Sequence, residues 1–556
     1  MSYTDVDRAR AGWLRRVARA VGAVVSSLSP HLAALMVFSS GAMVIVTLVQ
    51  PQIAVRMALV SRVLPLGLVD LSHFLAAVCA TVMLFLAYGL ARRRALARQA
   101  SMVLCVALAG LALLSGFVWE ESVVLLGVAG LLWITRAAFY RRPGPGSARL
   151  GGWWTFAALA MLAVSAWLGF AIYEEVPYSG SLWLTFLPEA DAARFLRALI
   201  AVCLAAGVIL LLRVLAALRP VSSAPEELVR VDAFLKGQAR IEPEAWLALT
   251  GDKRFFYSAS GQSVIMYAVS GRCWIAMGPP IGAPDERREM IWKFREAADR
   301  ADAWPAFYSV GPELLPDLLD AGFVLQKIGE AAHVPLSTFS LEGGRRYRLR
   351  QTRVRARKEG LEFSVERFAP GEELESELRE VSEAWMRGRT GVEKNFSLGR
   401  FEAHYLSRFP IAVLRREGRI IAFANLWPGT EAVGPDLMRA RPDAPRSSME
   451  ALLLEAMLWA AENRYSIFDL GRAPLSGLED RPFAPWMSRV GAFIYRHADA
   501  IYGFGGLRAF KQKFDPVWSP RYLAAPDTIR VSAALLGATR LTSGGLIGLL
   551  RPPVRP

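Results

Sequence analysis

Two stretches decide the fold: SVIMYAVSGRCWIAMGPP (263–280) and IAVLRREGRIIAFANLWPG (411–429). Each contains two short runs rich in β-branched and aromatic residues, joined at Ser270-Gly271 in the first and at Glu417-Gly418 in the second, and each stops at a Pro/Gly break. Ser263 to Val269 with Cys273 to Met277, and Ile411 to Arg415 with Arg419 to Leu426, are therefore expected to be hairpins. A helix-period segment follows each, Arg287 to Arg300 and Ser447 to Glu462, and then a short strand, Ala306 to Val310 and Ser466 to Leu470. Hairpin, helix, strand occurs twice, and each copy continues with another helix and a late strand. The pattern predicts a duplicated α+β unit.

Upstream of the first hairpin the composition changes at a Ser/Ala/Pro linker, Ser222 to Pro225. Before it, apolar runs recur at Leu32 to Val49, Leu71 to Leu90, Ser101 to Val118, Val123 to Phe139, Trp153 to Tyr173 and Phe195 to Leu218. Each is near the ~20 residues a bilayer demands, so about six transmembrane helices are expected, the first retained rather than cleaved. Arg92, Arg93, Arg94 and Arg98 follow the second run, and Arg136, Arg141, Arg142 and Arg149 surround the end of the fourth. Positive charge retained on the inner side makes those loops, and both termini, cytoplasmic. His73 lies at the start of the second run, where a polar group near the interface costs little. The expected division is a transmembrane domain 1–220, a first lobe 221–344, a second lobe 345–527, and a tail 528–556 that lies on the membrane.

The whole chain of 556 residues is 53% hydrophobic and carries a formal net charge of +15, which suits anionic partners, phospholipid and nucleic acid alike. Three of its four cysteines fall in apolar runs and Cys273 stands alone, so neither a disulfide framework nor a zinc spacing is offered. Arg345 to Lys358 (RRYRLRQTRVRARK) is basic throughout, and at helical spacing Arg346, Arg350, Arg353 and Arg357 share a face that attracts RNA or lipid phosphate. In Gly434 to Arg439 (GPDLMR) an Asp precedes an Arg by three residues, a spacing open to a proton-transfer pair or to an ordinary ion pair. Asp469 and Arg472 stand where a buried strand ends in a Gly-Pro turn. Gly503 to Phe514 (GFGGLRAFKQKF) sets a glycine-rich loop before a basic helix, offering Arg508, Lys511 and Lys513 to a phosphate without the Walker spacing. Gln326 to Ala331 (QKIGEA) matches the Q-x-x-G-x-A pattern of coenzyme A pyrophosphate loops, although His333-Val334-Pro335 after it reads as strand.

Taken in order, Gly251-Asp252-Lys253, Glu393 to Gly399 (EKNFSLG), Pro410 to Val413, Asp436 to Arg439, Leu470 to Gly477 and Gly506 to Phe514 make the chain resemble the phosphatidylglycerol lysyltransferase family, also called the multiple peptide resistance factor family. The resemblance implies a tandem GNAT-like (acetyltransferase-like) cytoplasmic domain in a bacterial plasma membrane protein. It implies transfer of an amino acid, lysine ahead of alanine, from aminoacyl-tRNA to phosphatidylglycerol, with the tRNA as co-substrate and no cofactor, giving resistance to cationic antimicrobial peptides. Asp436, Arg439 and Lys511 fall on positions the family uses functionally, and Glu393, Lys394, Asp469 and Arg472 mark a candidate pocket. Relatives with flippase activity carry further amino-terminal spans, and Arg472 stands where relatives often have another residue. The alternatives are a coenzyme A dependent membrane acyltransferase and a non-catalytic lipid-binding or transport protein.

Overall fold

The computed structural model describes residues 29–50, 56, 64–144, 152–176, 191–217, 225–387, 395–497 and 504–543, and the chain divides near residue 220 into two compact units.

In the amino-terminal unit, among the described residues, five helices are long and apolar enough to cross a membrane. They are α1 (Ser29–Val49), α2 (Leu66–Ala91), α3 (Ala95–Gly116), α5 (Gly152–Ile172) and α6 (Asp191–Ala217). The fourth apolar run forms α4 (Trp119–Ile134), which is 16 residues long. That length gives ~24 Å, short of the ~30 Å hydrocarbon core. Its apolar continuation is spent on a 3₁₀ turn, Arg136–Ala138, in place of more helix. Small side chains such as Ala33, Ala34, Ala76, Ala77 and Ala80 are buried between helices, while Val103, Trp153, Phe156, Trp167 and Leu204 are exposed. Small residues inside and large apolar ones outside suit helices packed in lipid.

The second unit is a 12-stranded mixed sheet covered by helices. Its strands are β1 (Arg254–Tyr257), β2 (Ser263–Ser270), β3 (Cys273–Met277), β4 (Ile281–Gly282), β5 (Trp304–Val310), β6 (Val324–Pro335), β7 (Leu361–Glu366), β8 (Ile411–Arg416), β9 (Arg419–Pro428), β10 (Ala432–Ala440), β11 (Ile467–Pro474) and β12 (Val517–Ala525). The helices are α7 (Pro225–Lys236), α8 (Arg287–Arg300), α9 (Leu315–Asp320), α10 (Tyr347–Lys358), α11 (Glu373–Arg387), α12 (Ser448–Glu462), α13 (Trp486–His497), α14 (Phe504–Gln512) and α15 (Thr528–Thr542). The hairpins β2–β3 and β8–β9, the helices α8 and α12, and the strands β5 and β11 fall where the periodicities put them, in two copies of one α+β pattern.

The order β1-β2-β3-β5-β12-β6-β11-β10-β9-β8-β7 shows how the units join. Each lobe has antiparallel strands leading to one parallel pair, β3 with β5 and β10 with β11. The last strand of each lobe then crosses to the other: β12 pairs with β5, β6 pairs with β11, and β6 and β12 pair together along nine residues from Val517↔His333 to Ala525↔Val324. The lobes thus share one continuous sheet. Of the expected membrane-surface tail 528–556, residues 528–542 form α15, whose Val531, Ala534, Gly537 and Ala538 are buried against lobe one, and 544–556 lie outside the described residues. Gly537 lets the helix pack closely there: a Cβ would stand 2.9 Å from Ile275 Cδ1.

Because β5 and β6 are joined only through β12, a fragment of residues 225–344 is expected to lack a cooperative thermal transition by circular dichroism. A fragment of residues 225–543 is expected to show one; a cooperative melt of the shorter piece would make the strand exchange dispensable.

Candidate functional site

The two parallel pairs differ. In lobe one, β3 and β5 stay paired for five residues, Cys273↔Trp304 to Met277↔Tyr308. In lobe two, β10 and β11 pair only at Ala432↔Ile467 and Val433↔Phe468 and then part. Bulges drive them apart: β10 slips register against β9 between Pro435 and Met438, and β11 slips against β6 between Asp469 and Arg472, where Gly471 has φ +77°. At the fork, Gly434 passes so close to β11 that a Cβ would lie 2.3 Å from the Asp469 carbonyl oxygen. Asp436 and Arg439 lie on one diverging arm and Asp469 and Arg472 on the other.

On the β10 arm, Asp436 is buried and holds three donors. The Gly399 N–H donates to Oδ1 at 2.8 Å, and the Tyr405 hydroxyl and Asn425 Nδ2 donate to Oδ2 at 3.0 and 3.3 Å. Trp427 Nε1 donates to the Tyr405 hydroxyl at 2.9 Å, and Asn425 Oδ1 accepts the Leu437 N–H at 2.9 Å. Burial pushes the Asp436 carboxyl up from 3.8 to about 6, against the pull of those three donors and of the Lys253 charge. Burial also pushes the Tyr405 hydroxyl well above its usual range, reinforced by the Asp436 charge, so it stays a neutral donor. A Cβ on Gly399 would fall 1.9 Å from Asp436 Oδ2, so the seat admits only glycine.

The β10 bulge matters here. Residues 436 and 439 are an odd number apart and would face opposite sides of a regular strand. With the extra residue both reach the 399–405 segment: Asp436 bonds Gly399 and Tyr405, and Arg439 has its guanidinium 5.9 Å from the Phe401 ring. Arg439 also donates through Nη1 to Ser382 Oγ on α11 and lies 5.1 Å from the Trp385 ring.

Lys253 was not singled out as a site residue in the sequence. It is fully buried, with Nζ 2.7 Å from both Thr250 Oγ1 and Asp252 Oδ1, and Asp252 Oδ2 accepts the Phe396 N–H at 2.6 Å. Burial lowers the Lys253 ammonium, and the neighbouring Asp252 and Asp436 charges oppose it. A lysine next to an aspartate inside the conspicuous Gly251-Asp252-Lys253 run was the available signal. Tyr405, Asn425 and Trp427 sit in segments that look like ordinary strand or turn, and nothing local marks them.

On the β11 arm, Lys511 reaches in from α14 and donates from Nζ to the Arg472 carbonyl oxygen at 2.7 Å. Burial lowers its ammonium to about 8, with the Asp469 charge opposing and the Arg472 charge assisting. Asp469 Oδ1 accepts the Gly471 N–H at 2.8 Å, and Arg472 pairs with Glu244 through two contacts, at 2.8 and 3.1 Å. Burial pushes the Glu244 carboxyl up, but the Arg472 and Arg521 charges and the Arg472 hydrogen bond together outweigh it and hold the group below its usual range.

Other residues expected at the site are engaged elsewhere. Arg508 pairs with Glu330 at 3.2 Å and stacks 4.6 Å from the Trp518 ring, while Lys513 pairs with Glu450 at 2.5 Å. The expected three-cation phosphate cradle is therefore reduced to Lys511, because β6 and α12 bring in carboxylates from distant sequence. On α10, Arg346 donates to the Phe514 carbonyl at 3.1 Å, Arg350 to the Leu341 and Gly343 carbonyls, and Arg353 grips Glu455 at 2.7 and 3.2 Å. Of the expected stripe only Arg357 is exposed; the basic residues open to solvent are Arg348, Arg355, Arg357 and Lys358. The solvent-exposed basic side of this helix is thus turned from the one its spacing suggested. Gln326 to Ala331 lies within β6, paired to β12 on one side and approached by β11 on the other, so its backbone is laddered where a pyrophosphate loop needs free amides. Glu393 and Lys394 lie outside the described residues.

A family model described as phosphatidylglycerol lysyltransferase, C-terminal, matches residues 233–525. The chain is 34% identical over 298 residues to a phosphatidylglycerol lysyltransferase of Bacillus subtilis, a stretch that is 53% of this chain and 35% of that one. It is 31% identical over 280 residues to the Staphylococcus aureus N315 protein of the same name, 50% of this chain and 33% of the other. The chain thus spans about a third of the length of the curated relatives it matches. Among solved structures, a C-terminal DUF2156 domain from Agrobacterium fabrum is similar at 40% identity and a TM-score of 0.53, covering 58% of this chain and 99% of that one. L-PGS from Bacillus licheniformis is similar at 36% identity and 0.52, covering 57% and 96%.

The Asp436 shift carries a sign. Its folded pKa lies above the unfolded one, so its contribution to stability is present below about 3.8 and lost as pH rises through about 6, on the order of 3 kcal/mol in all. Thermal unfolding of the detergent-solubilised chain is expected to show Asp436→Asn gaining on wild type between pH 4 and pH 7. Parallel pH curves for the two would mean the carboxylate is not desolvated.

Proposed function

Because the chain belongs to the phosphatidylglycerol lysyltransferase C-terminal domain family, we propose that it transfers an amino acid, lysine ahead of alanine, from aminoacyl-tRNA to phosphatidylglycerol at the fork between β10 and β11. The observation that carries this reading is the placement of a buried carboxyl and a buried amine on the two arms of a single fork, with burial pushing the first up to about 6 and the second down to about 8. Groups with pKa values moved toward neutrality are suited to proton transfer, and an activated ester needs little else.

The chemistry is a transesterification. The terminal glycerol hydroxyl of the lipid gives its proton to Asp436 as its oxygen attacks the aminoacyl carbonyl; the tetrahedral intermediate then expels the ribose oxygen, which takes up a proton. Asp436 Oδ1 accepts one hydrogen bond, from Gly399, and keeps a lone pair for this role. Lys511 spends one N–H on the Arg472 carbonyl and has two more for a lipid phosphate or developing oxyanion. Arg439, anchored on Ser382 and Trp385, orients the substrate. The enzyme works at the plasma membrane of a bacterium with this domain in the cytoplasm, and its product, less anionic than phosphatidylglycerol, weakens attraction of cationic peptides to the cell surface.

Expression in cells lacking aminoacylated lipids, followed by mass spectrometry of the lipid extract, is expected to give a new aminoacyl-phosphatidylglycerol whose mass names the amino acid. Asp436→Ala should lower its formation at least about 100-fold, the scale of a lost general base. A folded, inserted chain that yields no such lipid would overturn the assignment.

The pH dependence of kcat/KM is expected to be bell-shaped, rising as Asp436 ionises near 6 and falling as Lys511 loses its proton near 8. Lys511→Arg should remove the alkaline fall while leaving the acid limb in place. An unchanged alkaline limb would exclude Lys511 as its origin.

A further inference from the structure

Helix α13 presents an apolar ridge to the outside of the second unit. Trp486, Val490 and Ile494 are spaced four apart on one face, exposed by 58%, 47% and 39%, and Phe483, just before the helix, is wholly exposed. The opposite face is fixed to the domain: Ser488 accepts a hydrogen bond from Gln326 Nε2 at 3.0 Å, Ala492 is buried, and a Cβ on Gly491 would stand 2.5 Å from Leu478 Cδ1. A helix held on one side and apolar on the other has the composition of an interfacial membrane helix, and a water-facing position would leave its ridge costly.

We propose that this ridge seats in the surface of the phosphatidylglycerol-containing bilayer to which the chain is anchored, and that α13 is the element that brings lipid headgroups to the fork. Three observations favour a bilayer as the occupant. First, α13 carries Arg489 and Arg496 and no carboxylate, a charge that suits anionic headgroups. Arg496 does pair with Asp480 at 2.6 Å, but both are about half exposed, and such a pair gives way at little cost. Second, only seven residues of sequence, 218–224, follow the apolar span α6 before α7 begins, so the second unit is tethered to the bilayer by the chain itself. Third, α13 packs on α14, the helix that carries Lys511, and its Gly491 approaches Leu475 and Leu478, directly after the β11 arm. Headgroups gathered at α13 therefore lie beside the groups assigned to hold the lipid phosphate. This deepens the functional reading and rests on it for the role of the lipid, although the seating itself can be tested alone.

The full chain, with its four cysteines replaced by alanine, is reconstituted in nanodiscs of phosphatidylglycerol and phosphatidylcholine and spin-labelled at Val490→Cys or, as a control on α9, at Leu319→Cys, where the native side chain is also exposed. The ratio of oxygen to water-soluble nickel chelate accessibility is expected to be several-fold higher at 490 than at 319. Equal ratios would place the ridge in water, and shielding from both reagents would place it against protein, a second copy or another part of the chain; either overturns the proposal. In parallel, the double variant Trp486→Ser, Val490→Ser is expected to lose about tenfold in turnover of bilayer phosphatidylglycerol. It should stay near wild type on water-dispersed dihexanoyl phosphatidylglycerol. Equal losses on both lipids would count against a role in lipid capture. If the wild-type chain forms no aminoacyl lipid, the functional reading fails while the spin-label comparison still decides the seating.

Discussion

Where two parallel strands separate, their backbone amides and carbonyls lose each other as partners, and buried groups of that kind must be satisfied by something else. The fork between β10 and β11 is built on this constraint. The Leu437 N–H is taken by Asn425, the Gly471 N–H by Asp469, and the Arg472 carbonyl by Lys511. Polar side chains are thus drawn into an otherwise apolar sheet because the ladder fails there. Lobe one, whose parallel strands remain zipped through five residues, has no such demand between β3 and β5 and fills its strands with Ile275, Ala276, Ala306 and Phe307. At this point of the repeated pattern one half is closed by packing and the other is opened to polar groups.

Satisfying the backbone also sets the electrostatics. Asp436 is desolvated yet supplied with three donors, so it is neither locked as an acid nor pinned as a permanent anion. Lys253, delivered from lobe one and tied to Asp252, adds a positive charge that acts on Asp436. The division of labour between the lobes is therefore not complete: the second holds the groups that titrate near neutrality, while the first contributes Lys253 to one arm and Glu244 to the other.

Local periodicity made the hairpins, the two long helices after them and the apolar spans legible, since each depends on residues within one short window. The strand exchange was not legible, because the partners of β6 and β12 are set by contacts between residues far apart in sequence. The same blindness explains the basic residues. Arg346, Arg350 and Arg353 do share a helix face, but two of the acceptors that occupy it, the Phe514 carbonyl and Glu455, come from more than a hundred residues away. Asp436 and Arg439 stood out through their spacing and resemblance, yet the bulge that turns both toward one segment has no signature in the sequence Gly434-Pro435-Asp436-Leu437 beyond a glycine and a proline.

The shared sheet also bears on how the protein is made. β5 ends at Val310, and the strand that flanks it, β12, begins at Val517, about 200 residues later. At bacterial elongation speeds that interval is roughly 10–40 s. Throughout it the newly emerged first lobe has two of its strands exposed along edges that nothing yet covers. A nascent chain in this condition is a template for unwanted pairing, so the ribosome, the nearby bilayer or a chaperone must shelter those edges until the last strand arrives.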